Sequence, residues 1–135
     1  MLFHGSYKIC VLSHTLGAYQ RYAKATDAVY DNTTELLRIP FAYYKNLRSL
    51  FFTVDGTTYE LNANAQIIPR EFNTLIGGDA DHLYLVVFDL GPKISKKMSF
   101  IAGMAFLQRY YSVYDNDCRR VGFARTRFTN ATDIN

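Results

Sequence analysis

The most constraining stretch of the sequence is residues 100–124, Phe-Ile-Ala-Gly-Met-Ala-Phe-Leu-Gln-Arg-Tyr-Tyr-Ser-Val-Tyr-Asp-Asn-Asp-Cys-Arg-Arg-Val-Gly-Phe-Ala. Phe100, Ile101 and Ala102 predict a strand that stops at Gly103, where the backbone must turn tightly or pass close to another strand. Residues 104–109 predict a short helical turn whose apolar stripe runs on through Leu107 and Tyr110. Tyr111, Val113 and Tyr114 are β-formers, and Asp115-Asn116-Asp117 is turn chemistry. Val121-Gly122-Phe123-Ala124 returns as a second strand, so residues 111–124 predict a hairpin with a polar tip.

A second hairpin is signalled by Asp55-Gly56 between Phe51-Phe52-Thr53-Val54 and Thr57-Thr58-Tyr59-Glu60-Leu61, because Asp-Gly between two β-rich runs suits a tight two-residue turn. Before it, Leu16-Gly17-Ala18-Tyr19 opens a helical segment to about Tyr30, with Tyr19, Tyr22, Ala23, Ala25 and Val29 giving a partial apolar face. Asp31-Asn32-Thr33-Thr34 predicts a loop, and Glu35 to Ile39 a short strand ahead of Pro40. After the hairpin, residues 71–82 predict a loop bearing Gly and Asp. Leu83 to Phe88 is a continuous apolar run and predicts a strand buried on both faces. Gly91-Pro92 with Lys93, Lys96 and Lys97 predicts a solvated loop leading into Phe100. There is no internal repeat and no low-complexity linker.

A chain of 135 residues is one domain, long enough to bury a substantial core. With 49% apolar and 16% aromatic residues, the composition is that of a β-rich globular domain and excludes disorder. The net charge is only +3 and the basic residues are dispersed, so no nucleic-acid surface is expected. No stretch reaches the roughly 18 to 20 apolar residues that span a bilayer. Residues 1–16 are interrupted by His4, Lys8 and His14 and make a poor signal peptide, so the compartment is left open. Two cysteines, Cys10 and Cys118, do not make a disulfide framework, and Cys118 falls in an exposed turn. Asn32-Thr33-Thr34 and Asn130-Ala131-Thr132 are glycosylation sequons, which matter if the chain enters the secretory route.

The order of residues from Ile101 onward resembles the C-terminal end of pepsin-type aspartic proteases, peptidase family A1. Ile101-Ala102-Gly103, Phe106, Arg109-Tyr110-Tyr111, Val113-Tyr114-Asp115 and Arg120-Val121-Gly122-Phe123-Ala124 match the family's order at its spacing. Met104 stands where the family usually has Asp. The Phe-Thr-Val, Gly turn and Tyr-x-Leu of the second hairpin match too, and residues 62–68 resemble the short helical link that follows it. The resemblance covers residues 16–128. It implies a mainly β fold, part of a pepsin-like acid-protease lobe with two short helices. It divides the chain into an atypical segment 1–15, a lobe 16–128 and a tail 129–135. The family's lobe usually has its own disulfide; Phe41 stands where one of its cysteines belongs, so that bridge is not expected here.

The same resemblance implies aspartic-type endopeptidase activity and shows why this chain alone is not expected to have it. These enzymes hold two carboxylates close enough to share one proton, one acting as base towards a water and the other as acid towards the carbonyl oxygen. Each lobe gives one Asp, on an Asp-Thr-Gly or Asp-Ser-Gly loop ahead of the helix that begins here near Leu16. Upstream of that helix stands Cys10-Val11-Leu12-Ser13-His14-Thr15, which has neither motif. No catalytic residue, cofactor or metal ligand is therefore assigned; Ile101, Ala102 and Gly103 are the structural motif carried over. Val54-Asp55-Gly56-Thr57 has the motif's letters in the wrong order, at a hairpin tip. Asp79, Asp81 and His82 lack further ligands at a metal-binding spacing. Ser13-His14 and His4 lack a triad context. Tyr110, Tyr111 and Tyr114 are expected in packing rather than as a ligand platform.

Two functions remain: a partial aspartic protease that meets peptide or protein substrates when joined to an N-terminal lobe, or a non-catalytic lobe that binds peptides or another protein. No nucleic-acid or membrane-spanning role is expected. The family is usually secreted, lysosomal or vacuolar. In it, the glycine equivalent to Gly103 follows a strand lying beside the Asp loop. Residues 1–15 have no clear period-2 pattern and are expected to be loose, which leaves that strand edge open to self-association. The alternative is that residues 1–15 still supply a strand there and keep Gly103 crowded.

Overall fold

A computed structural model describes residues 9–11, 17–89 and 100–133. The expectations for His4, Ser13, His14 and the lysines 93, 96 and 97 lie outside the described residues. Among the described residues there are ten short strands and two short α-helices, in the order β1 (Ile9–Val11), α1 (Ala18–Ala25), β2 (Val29–Asp31), β3 (Leu36–Pro40), β4 (Leu50–Val54), β5 (Thr57–Leu61), β6 (His82–Tyr84), β7 (Val87–Phe88), β8 (Phe100–Ile101), α2 (Met104–Leu107), β9 (Tyr110–Asp115) and β10 (Arg120–Arg125). Three 3₁₀ turns, Phe41–Asn46, Asn64–Gln66 and Arg70–Phe72, fill the connections. The last of these overlaps the stretch 71–82 that the sequence reads as plain loop, and β6 starts at its final residue, His82. The mainly β architecture is as expected.

Helix α1 stops at Ala25, well short of Tyr30. The Thr26 hydroxyl donates to the carbonyls of Tyr22 (2.9 Å) and Ala23 (3.2 Å), and Asp27 adopts a left-handed φ of 52°. A non-glycine residue in that conformation cannot continue a right-handed helix. Val29, read as part of the helix, therefore opens β2. Tyr22 and Tyr19 pack α1 onto the core, and the Tyr22 hydroxyl donates to Gln66 Oε1 at 3.0 Å. Gln66 Nε2 in turn donates to the carbonyls of Arg48, Leu61 and Asn62, so this fully buried amide is saturated and joins the helix to the second hairpin. Burial pushes the Tyr22 hydroxyl far above the usual phenol range.

The apolar run after His82 is buried from Leu83 to Val87, but it is not one strand. β6 pairs antiparallel with β3 (Arg38↔Tyr84, Ile39↔Leu83, Pro40↔His82), which lies between β6 and β2. Leu85 then bridges Ile67, the Val86 N–H donates to Gln66 C=O at 2.9 Å, and β7 runs parallel to β1. The chain thus passes from one sheet to another while staying buried. Its side chains alternate between two apolar clusters: Tyr84 and Val86 lie with Leu36, Leu61, Ala102 and Phe106, while Leu83 and Leu85 lie with Leu37, Ile39 and Ile67. Burial on both faces is why the sequence shows no alternation there.

The two hairpins form as read. β4 and β5 pair from Leu50↔Leu61 to Val54↔Thr57, and the tip has positive φ at both Asp55 (48°) and Gly56 (75°), which matches the twist of the flanking strands. β9 and β10 pair from Tyr110↔Arg125 to Asp115↔Arg120. The two hairpins meet at Tyr59, Phe106, Tyr110 and Phe123. Tyr59 is edge-on to the other three at 5.4–5.9 Å, and Phe106 stacks on Tyr110 at 4.8 Å. Each such pair contributes about 0.5–1.5 kcal/mol beyond burial. The Tyr110 hydroxyl donates to Glu60 C=O (2.6 Å) and accepts from Glu60 N–H (2.8 Å), closing the outer backbone edge of β5. Of the three tyrosines expected in packing, Tyr110 is buried; Tyr111 and Tyr114 stand exposed, because the outer face of this hairpin is uncovered.

Candidate functional site

β1 lies between β7 and β8, parallel to the first (Ile9↔Val87, Cys10↔Phe88) and antiparallel to the second (Cys10↔Ile101, Val11↔Phe100). This corrects the expectation of a loose N-terminal segment for residues 9–11, and the strand edge beside Gly103 is occupied. A three-residue run paired on both sides is too short to show a period of two, which is why period-2 counting overlooks it.

β8 leads through Ala102, fully buried, to Gly103, also buried. Gly103 has φ −89° and ψ −171°, an extended conformation open to any residue. Its carbonyl accepts the N–H groups of Phe106 (3.0 Å) and Leu107 (3.1 Å), starting α2 without a side-chain cap. Met104 opens α2 with its side chain exposed.

Because β1 and β7 are parallel, the chain leaves both at the same end of the sheet. Val11 ends β1 there, and Asp89 follows β7. A cleft of about 550 Å³ opens beside Asp89, lined also by Tyr19, Ala23, Tyr30 and Leu37. Burial, with Tyr30 and Asp89 nearby, raises the Tyr19 hydroxyl above the usual phenol range. Asp89 is the one acid among the described residues that line this cleft, and the sequence offers no signal for it beyond its place after an apolar run. Sharing a proton takes two carboxylates.

The other titratable groups lie in turns. Asp55 sits exposed at the tip of the β4–β5 hairpin. Asp79 accepts from His82 Nδ1 at 2.7 Å, from the backbone N–H groups of Asp81 and His82, and from Arg38 at 3.5 Å. The His82 hydrogen bond, ahead of those from the backbone, holds the Asp79 carboxyl below the usual range. Asp79, Asp81 and His82 thus form a loop clasp; among the described residues no cluster of three or more His, Cys, Asp or Glu could hold a metal ion. Asp115 accepts from Cys118 N–H and Arg120 Nε, which depresses its carboxyl. Cys118 is a free, exposed cysteine in that turn.

Arg109 stands out as a fully buried cation. Its Nη2 donates to Asn64 Oδ1 and its Nη1 to Ala131 C=O, each at 2.7 Å, while the Thr129 hydroxyl donates to its own carbonyl at 2.6 Å. Thr129 and Ala131, in the stretch read as the tail 129–135, are thereby joined to Arg109. Desolvation lowers the affinity of Arg109 for its proton relative to a free guanidinium.

The mainly β fold with its two hairpins agrees with the comparisons. Residues 9–126 match the family model described as eukaryotic aspartyl protease. The chain belongs to the eukaryotic aspartyl protease family. It is 56% identical over 115 residues to polyporopepsin of Irpex lacteus, a match covering 85% of this chain and 34% of that protein. It is 30% identical over 101 residues to aspartic protease 1 of Caenorhabditis elegans, covering 75% of this chain and 24% of the relative. The crystal structure of the aspartic proteinase from Irpex lacteus superposes with a TM-score of 0.83 at 52% identity, over 93% of this chain and 36% of that one. The chain is therefore a partial aspartic-protease domain, spanning about a third of the Irpex lacteus proteins it matches. The family match begins at residue 9, so it takes in β1 as well as the stretch from residue 16 read in the sequence.

Proposed function

We propose that this chain is the structural part of one lobe of an aspartic-type endopeptidase, that peptide-bond hydrolysis belongs to a longer two-lobed protein, and that the chain by itself does not catalyse it. The reading is carried by one observation: the sequence leaving β1, Leu12-Ser13-His14-Thr15-Leu16, contains no Asp, although the family match runs through it. Hydrolysis in this family requires a base to activate water and an acid to protonate the carbonyl oxygen, and the two are carboxylates sharing one proton. Asp89 is the acid on the cleft at that end. A second copy of the chain adds no motif Asp, so self-association does not restore a dyad.

What the chain supplies is a docking frame. On the outer face of the β9–β10 hairpin, Tyr111 (65% exposed), Val113, Gly122 and Ala124 lie uncovered, and among the described residues neither strand has a further strand beside it. Unpaired strand edges with apolar side chains recruit other strands. The occupant proposed is an N-terminal lobe, with peptide or protein substrate bound between the two; a second copy of the chain is the competing occupant, and a non-catalytic protein-binding lobe is the competing function. Residues 1–15 are proposed as the segment standing in place of the Asp-bearing strand and loop, with residues 16–128 as the lobe proper. Sedimentation of the purified chain, alone and with the separately produced N-terminal lobe of the Irpex lacteus relative, tests the docking. A complex with that lobe that Tyr111→Lys weakens at least tenfold is expected. A chain that stays monomeric in both samples would refute it.

A further inference from the structure

We propose that Asn32 is an acceptor for an N-linked glycan, attached before the β2–β3 turn closes and carried afterwards on the outside of the fold. Asn32-Thr33-Thr34 forms the turn between β2 and β3, whose ends pair at Asp31↔Leu36. The turn is organised by Asp31: its Oδ1 accepts the Thr33 N–H at 3.3 Å and its Oδ2 accepts the Thr34 hydroxyl at 2.9 Å. Asn32 is exposed, and among the described residues its side chain makes no hydrogen bond. A sugar on Asn32 Nδ2 therefore breaks no contact of the folded chain. It also lies on the hairpin that carries the exposed Val29 and Tyr30, where a bulky hydrophilic group favours solubility.

The timing follows from the third residue of the sequon. Transfer joins the Asn32 side-chain nitrogen to C1 of a lipid-diphosphate-linked oligosaccharide; the C1–O bond to the diphosphate breaks, the lipid diphosphate leaves and the amide gives up one proton. The acceptor motif requires the hydroxyl two residues on. In the folded chain that hydroxyl, on Thr34, is engaged by Asp31 and the residue is only 8% exposed. Folding thus withdraws a part of the acceptor while leaving Asn32 itself in solvent. The second sequon differs: Asn130 and Thr132 are both exposed, while Ala131 between them is fixed through its carbonyl by Arg109 and Asn62.

Translation of the full chain behind a secretion leader, in the presence of microsomes, tests the site. Endoglycosidase-sensitive mobility shifts are read for wild type, Asn32→Gln, Thr34→Ala and Asn130→Gln. Folded, bacterially produced chain is offered separately to detergent-solubilised transferase with lipid-linked donor. Loss of one glycan in both Asn32→Gln and Thr34→Ala is expected, with no modification of Asn32 in the folded chain and an unchanged melting temperature for Asn32→Gln. Wild type that carries no glycan at Asn32 after translation overturns the site. Equal modification of Asn32 in the folded chain overturns the timing, and a lowered melting temperature for Asn32→Gln overturns its free placement.

Discussion

Gly78 and Tyr84 show how one atom decides a position. A Cβ built on Gly78 would lie 2.5–2.7 Å from the Tyr84 ring and hydroxyl, and that ring is fully buried. The ring cannot move aside: its hydroxyl accepts the Asp79 N–H at 3.0 Å and its backbone sits in β6. Gly78→Ala should cost about 2 kcal/mol or more, the scale of overpacking in a closed core. Gly122, on the uncovered face of β10, is the control. A Cβ there meets only Val113 at 4.0 Å, so Gly122→Ala should change stability by less than about 0.5 kcal/mol. Urea melts of the two variants check the contrast, and equal losses would contradict it. Neither position could be told from the other in the sequence, because the obstacle at Gly78 comes from a residue on another element.

At the scale of elements, the turn after β2 is predicted to be pH-dependent. Burial raises the Asp31 carboxyl, but the hydrogen bonds from Thr34 and Thr33 outweigh it and leave the group below the usual carboxylate range. A carboxyl depressed in the folded state adds stability above its unfolded value, near pH 3.9, and that contribution is lost as the pH falls through the folded value. Asp31→Asn should therefore lower the melting temperature at neutral pH, with the difference from wild type shrinking as the pH drops below about 3.9. A difference that stays constant down through that range would contradict the assignment. The strand ahead of Gly103 gives a second test. Gly103 is buried just past the β1–β8 pairing, and Gly103→Val should cost more than about 2 kcal/mol. A near-neutral change would mean that residues 9–11 leave the site open. Both hairpins and α2 were legible in the sequence, since turn chemistry and β-formers act locally. The end of α1 was not, because it depends on Thr26 bonding backwards and Asp27 adopting a left-handed backbone. Nor was β1, whose three residues carry no local signal and are placed by β7 and β8.

For the molecule as a whole, the sequence order around Gly103 and the last hairpin carried the family, and 56% identity to polyporopepsin confirms it. What that order did not convey is how the lobe is held together. Arg109 reads in the sequence as one more charge beside two tyrosines; in the fold it is buried and ties residues 128–131 to Asn64. Asp89, likewise, becomes visible as part of a cleft only once β7 is seen parallel to β1. Neither supplies a proton-sharing pair, and the central claim is that the chain has the frame of an aspartic-protease lobe without its dyad. The direct measurement is cleavage of denatured globin by the purified chain from about pH 3 to 5, with and without pepstatin, since a carboxylate pair that shares a proton works in acid. The account predicts cleavage no faster than the blank at every pH. Pepstatin-sensitive cleavage well above the blank would contradict it.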